Sequence, residues 1–121
     1  NLASIIDIKL NLSRQQVAEE YKKQDVYILP SWSEAASITI SEAMSFKLPV
    51  ISSDDNGTKC YIEEGVNGYV FTNRNTDDLV DKIEAIVSDR DRISKMGRAG
   101  FEIAKSNHSL DKFYKSFMKL V

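Results

Sequence analysis

The run Val26-Tyr27-Ile28-Leu29, unbroken by any charged or small polar residue and stopped by Pro30, constrains the fold of this chain more than any other stretch. A strand wetted on one side alternates apolar and polar residues. A strand without alternation is covered on both faces, as in parallel sheets with helices above and below. Pro49-Val50-Ile51-Ser52 reads as the next strand. Tyr69-Val70-Phe71 reads as a third, after the turn signal Asn67-Gly68. Residues 4–10 alternate loosely and are rich in isoleucine, which predicts a further strand.

Helical signals fill the intervals. Ser13 followed three residues later by Gln16 is a capping box, so a helix is expected over about 14–23 with Val17, Ala18 and Tyr21 on its apolar face. Residues 38–46 read as a buried helix packing through Ile38, Ala43, Met44 and Phe46. A short helix is expected over 59–64, closed by Gly65. Asn75 or Thr76 caps a helix whose Leu79, Ile83, Ile86 and Val87 form a stripe of period 3.6, with Asp77 and Asp78 at its positive end. From about Asp91 two more helices follow, one carrying Ile93, Met96, Phe101 and Ile103, the other starting near Ser109 and carrying Leu110, Phe113, Phe117 and Leu120. Strands alternating with helices give an α/β class, a Rossmann-like three-layer α/β/α domain with a mainly parallel sheet.

A length of 121 residues fits one domain, and 42% hydrophobic with 28% charged residues is an ordinary globular balance. A net charge of −2 argues against nucleic-acid binding, which needs a concentrated basic surface. No apolar run approaches the roughly 20 residues that span a bilayer. Cys60 is the single cysteine, so no internal disulfide forms and a reducing compartment suits the chain. The start at Asn1 rather than methionine suggests a piece of a longer polypeptide.

The chemistry is concentrated in Pro30-Ser31-Trp32-Ser33-Glu34-Ala35-Ala36-Ser37-Ile38-Thr39-Ile40-Ser41-Glu42-Ala43-Met44. A strand leads into Glu34 and a helix carries Glu42, so both carboxylates reach the C-terminal rim of a parallel sheet, where open α/β folds bind ligands. Carboxylates at such a rim accept hydrogen bonds from paired hydroxyls. That chemistry holds ribose and sugar rings and points to a sugar nucleotide.

Residues 25–71 also resemble a known pattern. Asp25-Val26, Pro30-Ser31, Glu34 and Glu42 with seven residues between, Glu42-Ala43-Met44, Pro49-Val50-Ile51, Gly57 and Ile62-Glu63-Glu64-Gly65-Val66-Asn67-Gly68 occur in the order seen in the donor-binding, C-terminal half of retaining glycosyltransferases of the two-Rossmann-domain GT-B architecture, family 4 or group 1 type. The resemblance implies that Glu34 is the catalytic carboxylate, orienting the anomeric carbon, and that Glu42 binds the two ribose hydroxyls. It places the backbone amides of Ala35, Ala36 and Ser37 near sugar and diphosphate, at a helix start that favours anions. Ser31 and Trp32 join the same donor-facing loop, Trp32 either stacking on a base or anchoring the loop. Basic side chains and backbone dipoles stabilise the leaving phosphate, so no metal and no cofactor is implied. The implied partners are a nucleotide-diphosphate sugar donor and a glycan or lipid-linked acceptor bound by an N-terminal domain. The parent is expected in polysaccharide or glycoconjugate synthesis, cytoplasmic or peripheral at the inner face of the membrane.

The chain departs from the pattern in several places. Ala35-Ala36-Ser37 replaces a glycine–aromatic–glycine run, Lys47 stands where glycine is common, and Cys60 falls near a usual glutamate. The upstream basic residues that clamp the diphosphate have no match in Lys9 or Arg14. On the resemblance, residues 1–121 are therefore expected to be a donor-binding domain incomplete on its N-terminal side and inactive alone. The competing reading is a non-catalytic sugar-nucleotide-binding or assembly module. Asp54-Asp55 reads as a polar loop before a metal or phosphoacceptor site. Cys60 reads as an ordinary thiol and His108 as a capping or surface residue.

Overall fold

The computed structural model describes residues 2–107 and 118–119. Helix α1 (Arg14–Lys23) precedes β1 (Tyr27–Leu29), α2 (Ile38–Ser45), β2 (Val50–Ser53), a 3-10 helix at Gly57–Tyr61, β3 (Gly68–Phe71), α3 (Thr76–Val87) and α4 (Arg90–Asn107). All three strands are parallel, in the order β1-β2-β3, with Ile28 opposite Ile51 and Ile51 opposite Tyr69. The central strand β2 is buried at every position, whereas β1, the strand expected to be covered on both faces, lies at the edge of the three-stranded sheet and is only half-buried throughout.

Successive β2 residues feed opposite layers. Val50 packs in a cluster with Tyr21 of α1, Ile40, Ala43 and Met44 of α2, and Ala104 of α4. Ile51 faces the other way, with Phe71, with Ile86 of α3 and with Met96 of α4. This is the three-layer arrangement. Full burial of each such side chain contributes about 1.5–3 kcal/mol. Helix α4 settles on the turn before β2 because Gly97 has no side chain. A Cβ there would lie 1.9 Å from the Lys47 carbonyl oxygen.

The capping box is present. The Ser13 hydroxyl accepts from the Gln16 N–H at 3.2 Å, and the Gln16 side chain accepts from the Ser13 N–H at 2.8 Å. Asn75 caps α3 by accepting from the Asp78 N–H at 3.1 Å. Lys47, at φ 60°, occupies the left-handed position just past α2, the backbone that glycine adopts most easily.

Other expectations are corrected as well. Residues 4–10 form no strand: Leu2–Ser4 is a 3-10 turn, and Ile5, Ile6, Ile8 and Leu10 are exposed. A strand gains stability only by pairing its backbone with a neighbour, and among the described residues this segment has none. An ion pair ties it to α1, Lys9 reaching Glu20 at 2.7 Å, while Lys9 also meets Asp7 of the same segment at 3.4 Å. Ile38 does not pack, being 73% exposed, and Val87 is half exposed. The inward face of α2 is Ile40, Ala43 and Met44, and two residues from Ile40 is about 200° around a helix. The short helix expected over 59–64 begins earlier and is 3-10, because Asn56 caps it through the Thr58 N–H. Gly65 lies in the loop beyond. The turn expected at Asn67-Gly68 is present, residues 65–67 forming a turn that runs into β3. Asn67 is fully buried, its side chain accepting from the Glu63 N–H and donating to the Tyr61 carbonyl, and Gly68 already belongs to β3. The helix carrying Ile93, Met96, Phe101 and Ile103 is α4; the helix expected from Ser109, and His108, lie outside the described residues.

Candidate functional site

Glu34 is held by an extension of the sheet. Its N–H donates to the Asp55 carbonyl at 3.1 Å and its carbonyl accepts from the Gly57 N–H at 2.9 Å, a parallel bridge past the ends of β1 and β2. Gly57 makes this approach feasible, since a Cβ there would stand 1.8 Å from the Ala35 carbonyl oxygen. The Ser31 hydroxyl donates to Glu34 Oε2 at 3.0 Å, and Ser53 anchors Ser31 by donating to its carbonyl. Beneath this loop Asn56 donates to Ser52 Oγ at 3.1 Å and accepts from both the amide and hydroxyl of Thr58. The half-buried Glu34 thus rests on a satisfied buried polar network.

Glu42 forms the acidic wall of a groove of about 440 Å³ between α1 and α2. Leu12, Arg14, Val17, Ala18 and Tyr21 line one side, Thr39, Glu42 and Phe46 the other. Glu42 Oε2 accepts from the Tyr21 hydroxyl at 3.3 Å. Tyr21 stacks on Phe46 with centroids 5.2 Å apart and meets the Tyr27 ring at 5.8 Å.

A chain of hydroxyls runs from this groove to the start of α2. Tyr27 donates to Thr39 Oγ1 at 2.7 Å, and Thr39 shares a 2.7 Å hydrogen bond with Ser37 Oγ. Burial raises the Tyr27 hydroxyl above its ordinary 10.0, the Thr39 hydrogen bond opposes this, and the charges of Glu34 and Glu42 push it further up. Tyr27 therefore stands in the field of both carboxylates. Burial, then Tyr27 and Glu42, push the Tyr21 hydroxyl still higher. Both tyrosines stay protonated as donors. Ser37 is the N-cap of α2, yet its side chain makes no capping bond, leaving the helix start open to an anion.

Of the residues singled out in the sequence, Ser31, Glu34 and Ser37 lie between the end of β1 and the start of α2, and Glu42 lies further along α2. Glu34 and Ser31 are hydrogen-bonded, Ala35 and Ala36 expose their methyl groups, Ser37 is buried, and Glu42 faces the groove. Trp32 is 68% exposed, and the Arg74 guanidinium covers its ring at 4.6 Å. Its carbonyl accepts from Asn73, whose side chain also donates to Asp55 while its N–H donates to Asp54. Asp54 and Asp55 thus brace loops, and among the described residues no group of three or more metal-binding side chains occurs. Cys60 is free and exposed. Lys9 is taken up by carboxylates, whereas Arg14 reaches the groove. Sequence reading missed Tyr27, Thr39, Asn73 and Arg74, and it gave Tyr21 only a packing role. Their signal was three-dimensional: Tyr27 passed as one more strand residue, and Thr39 as one more helix residue.

The family model for glycosyl transferases group 1 matches residues 1–103. The chain belongs to this family. A D-inositol 3-phosphate glycosyltransferase of Nocardia farcinica is 28% identical to this group 1 chain over 106 residues, covering 83% of the chain and 24% of the relative. A sulfoquinovosyl transferase of Arabidopsis thaliana is 31% identical over 94 residues, covering 75% and 18%. The chain thus spans less than a quarter of the length of these relatives. The fold is that of the C-terminal domain of GT-B glycosyltransferases. It matches the C-terminal domain of a group 1 family protein from Francisella tularensis (TM-score 0.78, 20% identity, 85% of this chain and 53% of that one). It also matches a sucrose-phosphate synthase from Thermosynechococcus elongatus (TM-score 0.88, 20% identity, 98% and 30%). The Anabaena protein HepE, in complex with UDP, matches with TM-score 0.79 and 19% identity over 88% of this chain and 30% of its own. Among the described residues no helix is long and apolar enough to cross a membrane.

Proposed function

We propose that residues 1–121 supply the donor-binding part of a retaining transferase that moves a sugar from a nucleotide diphosphate to an acceptor. The observation that carries this reading is the groove between α1 and α2, walled by Glu42 and leading through Thr39 to the uncapped start of α2. A nucleoside lies in the groove, its ribose hydroxyls on Glu42. The diphosphate meets the N–H groups that open α2, and the sugar reaches Glu34, whose carboxylate accepts from its hydroxyls. Charge that develops on the leaving diphosphate is stabilised by dipoles already in place. The Anabaena neighbour crystallised with UDP and with UDP-glucose supports a uridine diphosphate sugar as the first donor to try. The acceptor, glycan or lipid-linked, sits on an N-terminal domain outside these residues, and the parent works in polysaccharide or glycoconjugate synthesis, in the cytoplasm or peripherally at the inner face of the membrane.

Ala35 and Ala36 favour a second reading, a donor-binding module without turnover, because their side chains crowd the place where the sugar would lie. Transfer from radiolabelled nucleotide sugars by the polypeptide that carries this chain separates the two. Glu34→Ala lowers turnover more than tenfold and leaves nucleotide affinity within about twofold, the pattern of an interaction made at the transition state. An unchanged rate removes Glu34 from the reaction, and no transfer from any donor favours the second reading.

A further inference from the structure

Glu42 ends a side chain with three rotatable bonds, and a carboxylate that binds two adjacent hydroxyls must present its oxygens in one orientation. The Tyr21 hydroxyl donates to Glu42 Oε2 at 3.3 Å. Tyr21 is itself immobilised: it is 9% exposed, nearly parallel to Phe46 (17° between rings) and tilted by 56° against Tyr27. Phe46 and Tyr21 line the same groove as Glu42. A phenylalanine at position 21 would fill this stack equally well. Only the hydroxyl singles out tyrosine, and its one hydrogen-bond partner among the described residues is the carboxylate.

We propose that Tyr21 is a positioning residue for nucleotide recognition, fixing Glu42 so that its open lone pairs meet the 2′- and 3′-hydroxyls of a ribonucleotide. This rests on the assignment of Glu42 to the ribose. A carboxylate offers about four acceptor sites, so one bond from Tyr21 leaves enough for both ribose hydroxyls. Glu42 is anchored through α2 and Tyr21 through α1, so the hydrogen bond also ties the two walls of the groove together at the point where ribose enters. Ribose selectivity then depends on the aromatic stack of Phe46, Tyr21 and Tyr27 as well as on the acid.

The test is a double-mutant cycle on the 121-residue chain, read by NMR titration with UDP, ADP and GDP and the 2′-deoxy form of whichever binds. Wild type should prefer the ribonucleotide by about tenfold, the worth of one hydrogen bond to a charged group. Tyr21→Phe should keep the amide spectrum of the fold, lose most of that preference and bind the deoxynucleotide as before. In a Glu42→Ala background, Tyr21→Phe should change nothing further. Equal weakening of both nucleotides by Tyr21→Phe, or an intact preference, overturns the positioning role while leaving Glu42 at the ribose. Absence of binding, or of ribose preference, in wild type overturns the Glu42 assignment itself. If Tyr21→Phe fails to fold, selectively labelled Tyr21 in the wild-type chain decides. Its ring signals should respond differently to the ribonucleotide and to the 2′,3′-dideoxy form, and identical responses would overturn the proposal.

Discussion

Single residues carry this site in ways their neighbours in sequence do not announce. Glu34 is held in place because its backbone is pinned to Asp55 and Gly57, and Gly57 tolerates that approach only because it lacks a side chain. Gly57→Ala would place a methyl group against the Ala35 carbonyl and force the loop outward. We expect a loss of about 1–3 kcal/mol in urea unfolding, the usual penalty for overpacking, with the midpoint lowered and the slope unchanged. A variant as stable as wild type would mean that the loop yields freely and that Glu34 is not rigidly held. Glu34 and Glu42 were legible in the sequence because their spacing spans a strand end and a helix face. Tyr21, Tyr27 and Thr39 were not, because the Tyr21 hydroxyl meets Glu42, and the Tyr27 hydroxyl meets Thr39, across element boundaries that no linear pattern encodes.

Elements were readable where local rules agree with tertiary burial. Helix α1 shows this: Ser13 and Gln16 satisfy each other's backbone N–H groups, and Lys22 and Lys23 sit at its negative end. Ser13→Ala should cost about 1 kcal/mol, visible as a lower thermal midpoint, and because α1 forms one wall of the groove it should also weaken nucleotide binding. An unchanged midpoint would show that packing through Tyr21 alone holds the helix. The entry to α3 gives a pH prediction. The Thr72 N–H donates to Asp78 at 2.6 Å and holds its carboxyl below the ordinary 3.8. The folded chain therefore binds that proton less readily than the unfolded one, so the contribution is complete above 3.8 and is lost as pH falls through the lowered folded value. Thermal melts should show Asp78→Asn less stable than wild type at pH 6, with the gap closing near pH 2; a gap independent of pH would refute the linkage. Local rules misled where pairing decides. Residues 4–10 have strand-like composition but no neighbouring strand among the described residues, and the isoleucines stay in water.

At the scale of the whole molecule, apolar strands pointed to the layered fold, although the unalternating β1 is half-buried at the sheet edge and the central β2 is the strand covered on both faces. Burial of β2 on both faces demands helices on both sides, and the α1–α2–α4 and α3–α4 clusters supply them. That layering brings the ends of β1 and β2 and the start of α2 to one rim, where Glu34 is pinned to the loop after β2 and hydrogen bonds link Tyr27, Thr39 and Ser37. The central claim is that this rim binds the nucleotide diphosphate of a sugar donor, with Glu42 on the ribose. An NMR amide titration of the chain with UDP, ADP and GDP, repeated with Glu42→Ala, tests it most directly. One nucleotide should shift amides across residues 32–44 with a dissociation constant near 1 mM, about −4 kcal/mol, and the variant should lose about 1.5–3 kcal/mol of that. Shifts elsewhere, or shifts that survive Glu42→Ala unchanged, would contradict the account.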